Sequence, residues 1–480
     1  MKMTSTLASE INDDRIYRLN QHIAAFVTSL GGFALGVTLG WNSSAGEVLR
    51  NNSNASGTEI GLAGGILNGG ACVGVMFMPL FIKYFSRITA MSLTMPGFIV
   101  GWTFVCCAGA AAGQKISLLI IGRFICGVSG GAFCILTPIY IAEIADRDSR
   151  GRLLMYFHLL INCGIMYAFV IAHLLNEYDS AWRYNFICAV TCLVVALVNL
   201  LPESPLGYLM KNNEVKAKNS LKWYRGPTYK DNVEIEELKY LASRSRKITI
   251  NVLKNRNVTS AFFTCFFAFL IQQLSGVNIM IFNALTLFNV GGSGNLTGSE
   301  QTVLIGGVQI LSCFLAIGLI DVVGRRTLLI VSSILMGLFL ILLGWFYELR
   351  NRDPEYDDIY FWMPPTWTTL FFATFNIGAG PISWALLGDV FPMQIRDSAV
   401  ACVVAFNWLL SLTATMTFGE MVDTLGVPKT MWLFAGFCWT AGILCALLLK
   451  DTRGQSLAKI QKSFGIESEQ VEMNSSIDRT

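Results

Sequence analysis

Four polar side chains stand within seven positions of an otherwise apolar run: Gln272, Gln273, Ser275 and Asn278, with Gly276 among them. Amides donate and accept hydrogen bonds without carrying charge. Adjacent helical positions point about 100° apart, so Gln272 and Gln273 line one wedge. Gly276 permits local unwinding that turns Asn278 inward. An isolated amide in an apolar helix serves as packing glue; four polar residues in so short a stretch describe the wall of a lumen. A second set is charged. Glu143 is followed seven residues later by Arg150, and Asp389 seven residues later by Arg396. Glu203, Asp321, Arg325 and Arg326 likewise stand at the ends of apolar runs. Covalent chemistry is not indicated. No metal cluster, nucleophilic triad or phosphate loop stands out, so no enzyme activity, metal or cofactor is expected. The 13 Cys lack zinc-site spacing and read as small apolar packing residues.

These residues need helices long enough to carry them through a bilayer. The chain has 480 residues, 53% hydrophobic and 14% charged, whereas an average globular chain is about 25% charged. The net charge of +3 excludes an electrostatic nucleic-acid binder. Apolar runs of spanning length begin near residue 22, and the first is too long for a cleaved signal peptide. Six runs occupy 22–201, a polar stretch covers 202–257, and six more occupy 258–449. Residues 1–21 and 450–480 form the two ends. The expected fold is all-α, a polytopic membrane protein with twelve transmembrane helices in two six-helix pseudo-repeats. Of the 35 Lys and Arg, 28 fall on the side of the termini, 6 on the other, and Arg123 lies within a span. The positive-inside rule therefore makes both termini cytoplasmic. Within 202–257, Asn219 to Tyr224 and Glu234 to Leu241 read as short amphipathic helices. They either pack beneath the bundle or belong to a solvated linker.

The halves repeat chemistry as well as count. The paired seven-residue spacings close the fourth and tenth spans; Glu203 follows the sixth, and Asp451 the twelfth. Asp321-Val322-Val323-Gly324-Arg325-Arg326 closes the eighth, but its counterpart, Lys83-Tyr84-Phe85-Ser86-Arg87, has no carboxylate. The N-terminal half of this charge set therefore reads as the weaker half. Charges at helix ends on one face can act as an inner latch that opens as two halves rock about a midplane site. Their plainer reading is topogenic.

The blocks Gly122-Arg123-Phe124, Pro202-Glu203-Ser204-Pro205, Gln272-Gln273-Leu274-Ser275-Gly276 with Asn278, Asp321 to Arg326, Gly380-Pro381-Ile382 with Trp384, Phe391-Pro392 with Arg396, and Asn407-Trp408 occur in one order. On these blocks the chain resembles the sugar porter family of the major facilitator superfamily, and most of all insect-type facilitative glucose and trehalose transporters. The resemblance implies a sugar site of Gln272, Gln273, Asn278, Gln309, Asn407 and the stacking Trp384. His158 falls where many members have a site Gln and either faces sugar or packs. It also implies alternating access gated by Glu143, Arg150, Glu203, Asp321, Arg325, Arg326, Asp389 and Arg396. Proton-coupled members carry an Asp in the first span where this chain has Thr38, and no Asp or Glu lies deep in a span. A uniporter for a hexose or trehalose is the leading expectation, with a proton-coupled symporter or a non-transporting sensor as alternatives. Arg123 reads as structural, bonded to backbone carbonyls. The tenth-span Glu of many members is Asn376, and the Pro before the site Trp is Ser383.

The expected partners are a small-molecule sugar and the lipid bilayer, with no nucleic acid and no obligate protein partner. The plasma membrane is the expected location. Asn51, Asn54 and Asn295 head glycosylation sequons in segments that this topology places outside.

Overall fold

Lipid offers no partner to a bare backbone amide, so apolar runs of about 20 residues close their hydrogen bonds within helices. The computed structural model describes residues 18–52, 57–110, 116–146, 149–175, 181–227, 229, 232–245, 256–282, 297–353, 360–391 and 395–448. Among these residues the regular elements are helices, with no strand.

The first half comprises α1 (Leu19–Asn52), α2 (Gly57–Tyr84), α3 (Arg87–Thr94), α4 (Pro96–Ala110), α5 (Ile116–Ile144), α6 (Arg150–Leu174) and α7 (Ala181–Thr191). α3 and α4 form one crossing that Pro96 interrupts. The sixth crossing, expected as one continuous helix, tightens after α7 into a 3-10 stretch at Cys192–Leu200. Backbone contact brings α1 and α6 together. A Cβ on Gly36 would lie 2.0 Å from the Ile161 carbonyl oxygen, and one on Gly164 would lie 2.1 Å from that of Phe33. Small residues permit that approach.

Three short helices follow: α8 (Pro205–Met210), α9 (Glu214–Arg225) and α10 (Asn232–Ser245). α9 and α10 are longer than the patterning suggested, and α8 was not anticipated. α9 begins where the Asn213 side chain accepts the Lys216 amide, a favourable N-cap. Leu206, Leu209, Ala217, Leu221, Ile235 and Ala242 form their shared core. They dock on the bundle and are no solvated linker. Gln21 Nε2 donates to the Tyr224 carbonyl at 3.2 Å, and the Tyr140 and Tyr224 hydroxyls both donate to the Pro202 carbonyl. Burial pushes the Tyr224 phenol up, which keeps it a donor.

The second half contains α11 (Arg256–Leu274), α12 (Val277–Phe282), α13 (Gly298–Val323), α14 (Arg325–Arg352), α15 (Met363–Ile377), α16 (Ala379–Val390) and α17 (Arg396–Leu448). Among the described residues, eleven helical stretches are long and apolar enough to span. The last runs for 52 residues, which is about 78 Å at the helical rise and more than twice a bilayer core. Gly426 breaks it with φ 79° and ψ 160°. Thr430 Oγ1 then lies 3.3 Å from the carbonyl of Met421, nine residues back, so the chain reverses there. The count becomes the twelve crossings expected. The tenth span, Met363–Leu387, is the most interior, with 83% of its apolar stretch buried, against 33% for Arg87–Gly109 and Trp182–Leu200. The seventh span, Thr259–Phe282, which carries Gln272, Gln273 and Asn278, is also mostly interior, at 72%.

Candidate functional site

α11 ends on tight turns: Ser275 N donates to the Ile271 carbonyl and Gly276 N to that of Gln273, each at 3.1 Å. Gly276 takes φ 78°, a conformation that glycine adopts without a Cβ penalty. The helix restarts as α12, and Asn278 faces back into the bundle. Its Nδ2 lies 2.8 Å from Gln273 Oε1 and 2.6 Å from Ser411 Oγ. Gln273 Nε2 donates to Asn407 Oδ1 at 2.7 Å. Gln272 Nε2 donates to the Gly380 carbonyl at 3.1 Å. One chain of amides therefore ties α11, α12, α16 and α17 together.

The second break, between α15 and α16, falls at Gly378, where a Cβ would lie 2.3 Å from Ser332 Oγ. Past it, Trp384 is buried between the edges of Phe157 and Phe269, with ring centroids 5.5 and 5.2 Å away. It is an interior aromatic and no border anchor. Ser383 Oγ bonds the Ala268 and Ala379 carbonyls, which pins α16 to α11 where the family's proline is absent.

The facing wall belongs to α6. His158 Nε2 lies 2.8 Å from Asn376 Oδ1, and Asn162 Nδ2 donates to the same oxygen at 2.8 Å. Cys313 Sγ stands 3.6 Å from it. Asn376 Nδ2 bonds the Phe372 carbonyl, which fixes the amide's orientation. The oxygen only accepts, so the proton of a neutral His158 is assigned to Nε2, and Nδ1 is an acceptor. A Cβ on Gly380 would touch His158 Nε2 at 2.6 Å, so His158 and Gln272 converge on one backbone position. Gln309 is buried, one turn before Cys313.

Buried polar atoms in folded proteins nearly always have partners. Here Gln272 Oε1, Gln309 Oε1, Asn407 Nδ2 and His158 Nδ1 have none among the described residues. Three acceptors and one donor, with an indole beside them, suit a neutral polyhydroxyl solute with an apolar face. The two halves touch on either side of the cluster. On one, Ala385 of α16 packs with Ala25, Ile141, Ala142, Leu153 and Leu154. On the other, His173 Nδ1 meets Ser299 Oγ at 3.1 Å.

The charged set centres on a residue that the sequence reading undervalued. Arg87, buried, contacts Glu143 at 3.1 Å within its own half and Asp397 at 3.5 Å in the other. Glu143 also accepts from Ser204 Oγ at 2.5 Å, and Glu203 caps the α3 backbone at Ile88 N and bonds Ser204 N. The one Arg retained after the second span thus gives the N-terminal half a buried ion pair, although its own loop has no carboxylate. Arg396 is buried and within electrostatic reach of Glu143. Arg150 begins α6. Arg326 Nη2 caps the Ala446 carbonyl at 2.5 Å, and Arg325 begins α14. The Asp321 and Asp389 side chains lie outside the described residues, as do those of Asn51, Asn54 and Asn295. Arg18, bound to Asp146 at 3.0 Å, is a further pair not anticipated. Arg123 behaves as expected: it donates to the carbonyls of Thr38 and Gly64 at 3.3 Å each and stacks 4.9 Å from the Trp41 ring.

The site contacts missed in the sequence are Asn162, Ser411 and Cys313. Asn162 follows His158 by four positions and Ser411 follows Asn407 by four, and this spacing puts each pair on one helical face. Only that periodicity pointed to them.

Residues 24–464 match the family described as "Sugar (and other) transporter". The chain is 29% identical over 460 residues to the facilitated trehalose transporter Tret1 of Bombyx mori, covering 95% of this chain and 89% of that one. It is 30% identical to Tret1 of Drosophila erecta, of which it spans 52%. Among solved structures it resembles the major facilitator superfamily proton:xylose symporter XylE bound to 6-bromo-6-deoxy-D-glucose. The TM-score is 0.80 at 21% identity, covering 93% of this chain and 100% of that one. The inward-open conformation of XylE from E. coli gives 0.71 at 19% identity. The family match takes in all but the first few residues of the membrane bundle and both breaks around the amide cluster, and the chain belongs to the sugar (and other) transporter family.

Proposed function

We propose that the chain carries a neutral sugar, a hexose or trehalose, down its gradient by alternating access. The observation that carries this reading is the buried cluster in which Gln272 Oε1, Gln309 Oε1, Asn407 Nδ2 and His158 Nδ1 lack partners among the described residues beside the buried Trp384. Each supplies what a sugar hydroxyl or ring face needs, and none supplies charge. The printed names of the Tret1 relatives support facilitated transport. The XylE likeness supports only the fold.

Among the described residues the cluster's partners are amides, hydroxyls, a thiol and carbonyls, with no carboxylate. A protonatable intramembrane carboxylate is the usual proton carrier. Thr38 stands at the proton-coupled position, and Arg123 beside it bonds backbone oxygen instead. The chain works at the plasma membrane with both termini cytoplasmic, the orientation that its Lys and Arg distribution favours; glycan on Asn474, which heads the sequon Asn474-Ser475-Ser476 in the C-terminal segment, would reverse it.

The test is uptake of labelled glucose and trehalose into proteoliposomes. Uptake should stop at equal concentrations on both sides and ignore a protonophore. Accumulation that collapses with the proton gradient would replace uniport by symport and point to His158. Saturable binding without uptake would make the chain a sensor.

A further inference from the structure

The face carrying Arg87 also presents α9, and its two sides differ sharply. Ala217, Ser220, Leu221, Tyr224 and Arg225 are buried. At about 100° per residue, the opposite side gathers Val215, Lys216, Asn219, Lys222 and Trp223 within about 120°, and all five are exposed. Val215 is 71% and Trp223 36% exposed. The neighbouring acids are already neutralised. Lys218 and Lys239 each lie 3.0 Å from Glu214, and Lys239 lies 2.8 Å from Glu236. Hydrogen bonds from the two ammonium groups hold the Glu214 carboxyl below its usual range. Lys216 and Lys222 have no ion pair among the described residues, so this side of α9 is cationic and carries an indole.

Its height in the molecule is fixed. Asn20 Nδ2 donates to the Trp223 carbonyl at 2.6 Å, tying α9 to the start of α1. There Leu19, Ile23 and Phe26 are exposed at i, i+4 and i+7, a stripe that faces lipid. Trp223 therefore lies where that stripe begins, the level at which indoles collect in membrane proteins.

We propose that this side of α9 binds anionic phospholipid headgroups in the adjacent leaflet. Lys216 and Lys222 meet the headgroup charge, and Trp223 and Val215 enter the border between headgroups and acyl chains. The surface stands on the membrane fold and is independent of which sugar is carried.

The test uses the full chain in phosphatidylcholine vesicles doped with a photoactivatable phosphatidylserine or, in parallel, a photoactivatable phosphatidylcholine. Crosslinks are mapped by mass spectrometry. The serine probe should label α9 about fivefold more than the choline probe, the preference falling as salt rises. Lys216→Gln with Lys222→Gln should abolish the preference, and Lys216→Arg with Lys222→Arg should keep it. Both pairs are exposed, and monodispersity by size exclusion verifies folding. No labelling of α9, equal labelling by both probes, or an unchanged preference in the Gln pair would overturn the proposal. Because the readout is lipid, none of these outcomes depends on sugar uptake.

Discussion

Gln272 spends one end of its amide on the Gly380 carbonyl and leaves the other bare. If that bare oxygen receives a sugar hydroxyl, Gln272→Leu removes a hydrogen bond in a water-poor site, a loss of about 1–3 kcal/mol. Labelled sugar uptake should fall about tenfold or more, with surface expression unchanged; undiminished uptake would remove Gln272 from the site. Asn376 makes a different prediction, because its oxygen serves protein donors. Asn376→Leu strands His158 Nε2 and Asn162 Nδ2 in the interior, and each stranded donor costs about 1–3 kcal/mol. The variant should melt at lower temperature in detergent, whereas Gln272→Leu should melt close to the parent. The two effects follow from sequence to different degrees. Gln272, Gln273 and Asn278 are visible as polar letters in an apolar run. The tie from His158 to Asn376 crosses 218 positions, so no local pattern announces it. The two residues are nevertheless both departures from the family's usual Gln and Glu, and the structure places them in contact.

Two broken helices position the site, and both breaks rest on glycine. At Gly276 a side chain meets two penalties. The backbone has φ 78°, and a Cβ would sit 3.0 Å from the Phe434 ring. Gly276→Ala should therefore cost about 1–2 kcal/mol from the left-handed backbone alone, and it should tilt α12 so that Asn278 loses Gln273 and Ser411. Gly307→Ala, with nothing within 4 Å of its Cβ, is the matched control. Uptake should drop several-fold in the first and hold in the second; equal behaviour would mean that the break does not position Asn278. The elements were legible where hydropathy alone decides them, which covers all twelve crossings. The last two apolar runs are separated in the structure by the turn at Gly426. The 3-10 ending of the sixth crossing was not legible, because Cys192–Leu200 is as apolar as any helix and its tightening is a packing outcome. Nor was the full length of α9 and α10, whose mixed polarity hides their ends.

At the scale of the whole molecule, the two halves meet through a charge that is shared unequally. Arg87 and Glu143 form a nearly dehydrated pair inside one half, with side chains 5% and 1% exposed, whereas Asp397 reaches Arg87 from the other half and is 29% exposed. The inner pair lies within one half and is present whichever way the halves are set, so breaking it chiefly costs stability. Breaking the outer contact removes an interaction available only while the halves are closed on this face. Asp397→Asn should therefore favour the conformation open toward this face. A contact of this exposure is worth at most about 1 kcal/mol, which shifts a balanced equilibrium by about fivefold. The observable is the labelling rate of a single Cys in the lumen, in a background with the native Cys controlled for. Asp397→Asn should label faster from the Arg87 face and slower from the His173 face, with little change in melting temperature. Glu143→Gln should instead lower the melting temperature with little change in the ratio of the two rates. If Asp397→Asn labels like the parent from both faces, the cross-half contact does not gate, and the charges at these helix ends serve topology and packing.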